Sequence, residues 1–123
     1  MASETPDAAL GLVLDCADAA ALAPFWAAAL GYVTVGQMDN VVVLVPDGRP
    51  GPHLILQEVP EPKAAKNRMH VDLHPADIEA EAARLVGLGA RRLEAEPRRA
   101  YGANWIVMAD PEGNEFCVCD GGG

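Results

Sequence analysis

The apolar and polar positions of this chain run through the same order twice. An apolar run, Leu10–Cys16 (LGLVLDC), reads as a strand. Asp18 follows, suited to cap a helix because its carboxylate accepts the free N–H groups of a first turn. Leu22, Phe25, Trp26, Ala29 and Leu30 then recur at helical spacing, and Gly31 stops the helix. Three strand-like runs come next: Tyr32–Gly36, Val41–Pro46 and His53–Val59. The Asp39-Asn40 pair and the Pro46–Pro52 stretch separate them.

The second round begins at Met69–His74 (MHVDLH), again a strand. Asp77 or its neighbour Pro75 opens a helix faced by Ile78, Ala82, Leu85, Val86 and Gly89. Arg91–Leu93, Trp105–Ala109 and Glu115–Cys119 are the three strands after it, and Asp110-Pro-Glu-Gly-Asn114 is a tight turn between the last two. Asp18 precedes Asp77 by 59 residues, and Leu30-Gly31 precedes Leu88-Gly89 by 58. Matching landmarks at matching distances mark an internal repeat. The expectation is an α+β fold of two tandem βαβββ modules, about 9–59 and about 68–120. The polar, proline-bearing stretch 60–67 (PEPKAAKN) links them within one domain, 1–123.

Composition narrows the partners. Half of the 123 residues are apolar, enough for a real core, since a chain of this size buries roughly two-thirds of its unfolded surface. The net charge of −9 excludes nucleic acid, whose binding rests on Lys and Arg meeting phosphates, and an anionic membrane surface. The three cysteines, Cys16, Cys117 and Cys119, do not form a disulfide framework. The opening MASETPDAAL lacks the basic start and apolar run of a signal peptide, and no stretch approaches the ~20 apolar residues of a spanning helix. A reducing cytoplasm is the expected setting, with residues 1–8 and 121–123 as frayed tails.

Three stretches carry a family resemblance. DCADAAALAPFWAAALGY (15–32), KNRMHVDL (66–73) and above all WIVMADPEGNEFCVCD (105–120) resemble the vicinal-oxygen-chelate superfamily of glyoxalases, bleomycin-resistance proteins and extradiol dioxygenases. The likeness runs from about residue 10 to 120 and is closest to the small glyoxalase-like domain branch. It implies a curved sheet, a half-open barrel, around a cavity. It also implies a divalent metal held from the first, fifth and eighth strands, sometimes with the fourth, acting as a Lewis acid on adjacent substrate oxygens. Matched residue by residue, these positions fall on Gly11, His70 and Cys117, with Ile55 or Gln57 on the fourth strand.

Only His70 of these is a family-type ligand. Glycine has no donor atom, and a thiolate with one imidazole supplies two ligands. Asp72 and His74 share a strand face with His70 by two-residue alternation. His70 therefore has three open roles: metal ligand, hydrogen-bonded cavity histidine, or metal-free catalytic base. Cys117 and Cys119 share a face as buried fillers or as a reactive thiol in the cavity. Trp26 belongs to the helix core stripe, Trp105 borders the cavity, and Tyr101 sits in a loop, RRAYGAN (98–104), placed to cover its mouth. Arg91, Arg92, Arg98 and Arg99 form a solvated face or clamp an anionic substrate group. The expected ligand-binding set is Gln57, His70, Asp72, Tyr101, Trp105 and Cys117. Two functions stand: metal-free binding of a small oxygenated or planar molecule, or a glyoxalase-type lyase, isomerase or dioxygenase using His70. Free sheet edges make a homodimer the expected assembly.

Overall fold

The structure, a computed structural model, describes residues 9–120, so both expected tails lie outside the described residues. The first round folds as β1 (Gly11–Cys16), α1 (Ala19–Leu30), β2 (Tyr32–Met38), β3 (Val41–Pro46) and β4 (His53–Glu58). Its strands lie in the order β1-β4-β3-β2, with β1 parallel to β4 and the other pairs antiparallel. The second round gives β5 (Asp72–Leu73), α2 (Ile78–Leu88), β6 (Arg91–Arg92), β7 (Arg98–Ala100), β8 (Ala103–Ala109) and β9 (Glu115–Cys119). Its order is β5-β9-β8-β6, with β5 parallel to β9. The repeat read from spacing is thus a repeat of topology, with two helices and two open, mixed sheets.

Both caps are where the aspartates predict. Asp18 accepts the Ala21 N–H at 3.0 Å, and Asp77 those of Glu79 and Ala80 at 3.0 and 3.1 Å. Gly31 ends α1 in the left-handed region, at φ 67°, where a Cβ would be strained.

Two elements differ from the sequence reading. The fifth strand keeps only Asp72–Leu73 of the expected Met69–His74, because its ladder has one partner, β9. The segment 98–104 is not a loop. Arg98–Ala100 pairs with Ala103–Trp105 across a two-residue turn, Tyr101-Gly102, with φ of 54° and 74°, the geometry of a tight hairpin.

The helices cover one face of the sheets. Leu22, Phe25 and Trp26 of α1 and Leu85 of α2 join Leu44 and Leu56 of the first sheet and Ile106, Met108, Phe116 and Val118 of the second in one continuous core. Phe116 is wholly buried against Trp26, with ring centroids 5.3 Å apart, and Phe25, at 6.2 Å. The opposite face of the first sheet is uncovered. It carries Val13 and Met38, 56% and 68% exposed, beside Val33, Val43 and Ile55. No helix of the described residues is long and apolar enough to cross a membrane.

The second unit holds α1 at both ends. Glu112 accepts the Ala17 and Asp18 N–H groups at 2.7 and 3.0 Å, and Arg84 of α2 donates to the Ala28 and Ala29 carbonyls at 3.2 and 3.0 Å. Anion at the N-terminus and cation at the C-terminus both suit the helix dipole. Beneath Glu112, the fully buried Asp110 carboxylate accepts Trp26 Nε1 at 2.9 Å, the Glu112 and Asn114 N–H groups at 2.9 Å each, and Asn114 Nδ2 at 3.0 Å.

Hydrogen bonds also set a pH window. The Arg84 guanidinium holds Glu81 below the usual carboxylate range, and the Asn67 and Asn104 N–H groups do the same for Glu115 and Asp120. A depressed folded pKa gives stability that is present above the unfolded value and lost as pH falls through the folded one. Burial acts oppositely on Cys16 and Cys119, each pushed up to about 11, whose contribution is lost as pH rises from about 9. The melting temperature is therefore expected to be level between about pH 5 and 9 and to fall on both sides. Calorimetry across this range checks it; a continued rise below pH 4 would refute it.

Candidate functional site

Because Ile106, Phe116 and Val118 point to the helices, alternation turns Trp105, Val107, Cys117 and Cys119 to the other face of the second sheet. There they wall a cavity of about 420 Å³. Its polar end is built by register. Asp72 lies directly across the parallel ladder from Cys117, the Val71 carbonyl accepts the Cys117 N–H at 3.0 Å, and His70 stands two residues before Asp72 on the same side. His70 Nε2 is 3.2 Å from Asp72 Oδ1, and donor atoms of His70, Asp72 and Cys117 all lie within 4.8 Å of one another. His70 and Asp72 also border a second cavity, of about 440 Å³, between the two units, walled mainly by aliphatic side chains such as Leu14, Leu30 and Val71.

Lys66 and Arg98 reach the first cavity, and Arg98 is bound to Glu94 at 2.7 Å. The Cys117 thiol is pushed above its ordinary value by burial and then by the Asp72 charge, while Lys66 and Arg98 pull the other way. The Cys119 thiol is raised chiefly by burial as well. Neither thiol is poised as a free nucleophile near neutral pH.

The model of the glyoxalase-like domain matches residues 11–119. The chain belongs to that family. No curated protein matches this glyoxalase-like chain. Its structural neighbours share the fold. They include the genomically encoded fosfomycin resistance protein FosX from Listeria monocytogenes, with 12% identity, a TM-score of 0.74 and 95% of each chain covered. A glyoxalase/bleomycin resistance protein/dioxygenase family enzyme from Burkholderia phytofirmans PsJN has 14% identity and a TM-score of 0.73, over 89% of this chain and 94% of that one. The lactoylglutathione lyase of Agrobacterium tumefaciens has 20% identity and a TM-score of 0.66, over 95% and 96%.

The metal positions implied by the resemblance do not make an oxygen-and-imidazole set in this glyoxalase-like protein. Gly11 offers no donor and has open space where a side chain would be. Ile55 offers none either, and Gln57 pairs with Asp15 and Val41 in the first sheet, away from the cavity lining. Of the expected ligand-binding set, the structure brings together His70, Asp72, Trp105 and Cys117. It leaves Gln57 apart, and Tyr101 stands fully exposed at the β7–β8 hairpin tip, because that segment is a hairpin and not a lid. Among the other arginines, Arg92 binds Glu79 at 2.7 Å and the Ala95 carbonyl at 2.9 Å, a structural role. Sequence reading missed Lys66, which lies in the linker and carried no strand signal.

Proposed function

We propose that this is a small-molecule-binding glyoxalase-like protein whose ligand, planar or rich in oxygen, lies against Trp105 beside His70, Asp72 and Cys117. The convergence of these four side chains in one cavity carries the reading, since a concave site that joins an aromatic wall to convergent polar groups can both hold and orient a small ligand. The half-buried Trp105 supplies a flat wall, and Lys66 and Arg98 suit an anionic oxygen. The names of two structural neighbours, fosfomycin resistance protein and lactoylglutathione lyase, point to the same class of ligand. A thermal-shift and tryptophan-fluorescence screen of chelator-treated protein against planar drugs and small 2-oxo acids tests it. Saturable quenching and a thermal shift are expected, with affinity read from the thermal shift about two- to tenfold weaker in Trp105→Ala, in line with the ~0.5–1.5 kcal/mol of an aromatic contact. No response in either compound group would sink it.

The His70–Asp72 contact favours a second reading, a glyoxalase-type lyase, isomerase or dioxygenase with His70 as general base. A carboxylate at that distance orients an imidazole by accepting its N–H. Turnover of a stabilising compound, lost in His70→Ala, would decide for it.

We also read the chain as one cytoplasmic domain that pairs as a homodimer. Free thiols at all three cysteines and the charge of −9 support the first part. The uncovered aliphatic face around Val13, Val43 and Ile55 supports the second. Sedimentation at rising concentration tests the pairing; a monomer throughout would refute it.

A further inference from the structure

Each sheet ends in a free edge, β1 in the first and β5 in the second, and no ladder joins them among the described residues. The cavity of about 440 Å³ lies in this seam, lined by consecutive residues of both edges, Leu12–Leu14 and Met69–Leu73. We propose that the seam is a second ligand site, separate from the Trp105 cavity, and that it takes a neutral aliphatic molecule. The inference goes beyond the reading of the Trp105 cavity and does not rest on it.

The seam lies on the helix side of the sheets. Leu12, Leu14, Leu30, Val71 and Leu73 pack against the core and Leu54 belongs to it, whereas Trp105 and Cys117 wall the other cavity on the opposite face. The cleft reaches Trp26, only 3% exposed, and so runs in beneath α1. Well-packed interiors leave few voids larger than a water molecule, and this one falls within the ~300–1,000 Å³ of small-molecule pockets. Its polar side chains are already engaged. The Tyr32 hydroxyl donates to the Pro52 carbonyl at 2.8 Å, Asn67 Nδ2 to Asn114 Oδ1 at 3.3 Å, and Asn114 Nδ2 to Asp110 at 3.0 Å. Water in the cleft therefore finds few partners, and an apolar molecule gains by displacing it. The charges at the border are balanced within the protein. Glu115 accepts the Asn67 N–H at 2.9 Å and pairs with Lys63 at 3.2 Å, and Asp72 lies 3.2 Å from His70 Nε2. Neither carboxylate calls for a cationic ligand, and both repel an anionic one. Lys66 and Arg98 line the other cavity and not this one. Met69, 71% exposed, sets an unbranched and adaptable side chain at the entrance.

The two tryptophans separate the sites, since Trp26 lines the seam and Trp105 the other cavity. The test titrates the full chain carrying Trp105→Phe with butanol, hexanol and octanol, read by the emission of Trp26. A saturable change is expected, with affinity rising about fourfold for each added CH₂, the equivalent of the ~0.8 kcal/mol of a buried methylene. Octanoate and octylamine should bind about tenfold more weakly than octanol, because the seam has no free partner for either charge. Val71→Phe and Leu12→Phe fill the seam from its two edges, and each should weaken octanol about tenfold. Circular dichroism confirms that each variant is folded. A flat response along the series, equal binding of octanoate or octylamine, or unchanged affinity in a folded Phe variant would overturn the proposal. So would a dimer that octanol dissociates in sedimentation, since a second copy would then be the occupant of the seam. The screen of the Trp105 cavity uses the wild-type chain and other compounds, so neither result decides the other.

Discussion

Replacing Asp110 with alanine is expected to lower folding stability by about 4 kcal/mol. The carboxylate is completely buried and accepts from Trp26 Nε1, from two backbone N–H groups and from the Asn114 amide. Each buried donor left without a partner costs about 1–3 kcal/mol. The turn N–H groups can recover part of this by moving toward water, whereas the indole N–H, held beneath α1, has no such route. A loss of that size is a large fraction of the ~5–15 kcal/mol that holds a domain folded. Urea unfolding followed by tryptophan fluorescence measures it. Asp110→Asn should lose less, because one carbonyl oxygen remains an acceptor while its NH₂ group faces donors. In a double-mutant cycle, Trp26→Phe with Asp110→Ala should show a coupling of about 0.5–3 kcal/mol. A cost below 1 kcal/mol for the alanine variant would mean that water replaces the carboxylate.

Phe116→Ala is expected to cost a similar amount, about 4 kcal/mol. The ring is wholly buried on β9 and meets Trp26 edge-on at 5.3 Å, so its removal opens a cavity and also deletes an aromatic pair worth about 0.5–1.5 kcal/mol. The hole falls where α1 of the first unit rests on the sheet of the second. Partial collapse would require the two units to shift together, which their shared caps resist. Phe116→Leu, nearer in volume, should cost about 1.5 kcal/mol or less. Calorimetry should show a single transition at lower temperature for both variants. A two-step melt of the wild-type protein would contradict the view of Phe116 as a joint of one cooperative core.

The architecture was legible because its signals are local. Asp18 and Asp77 cap, Gly31 turns left-handed, and the apolar stripe of Trp26, Ala29 and Leu30 needs no distant partner to be recognised. Sites assembled by register were less visible. Alternation alone puts Asp72 beside His70, but its place opposite Cys117 depends on how β5 meets β9. The β7–β8 hairpin escaped because Arg98-Arg99-Ala100 has no apolar alternation, and its strand exists by pairing with the longer β8. Tyr101, expected over the cavity, is instead carried to the tip of that hairpin. The buried partnership of Trp26 and Asp110 links residues 84 apart, and nothing in either local pattern announces it.

The capping of α1 by Glu112 and Arg84 means that the earlier half of the chain could not be excised intact. Cut free, its helix would lose the carboxylate over its start and the guanidinium at its end, leaving the Ala17 and Asp18 N–H groups and the Ala28 and Ala29 carbonyls to water.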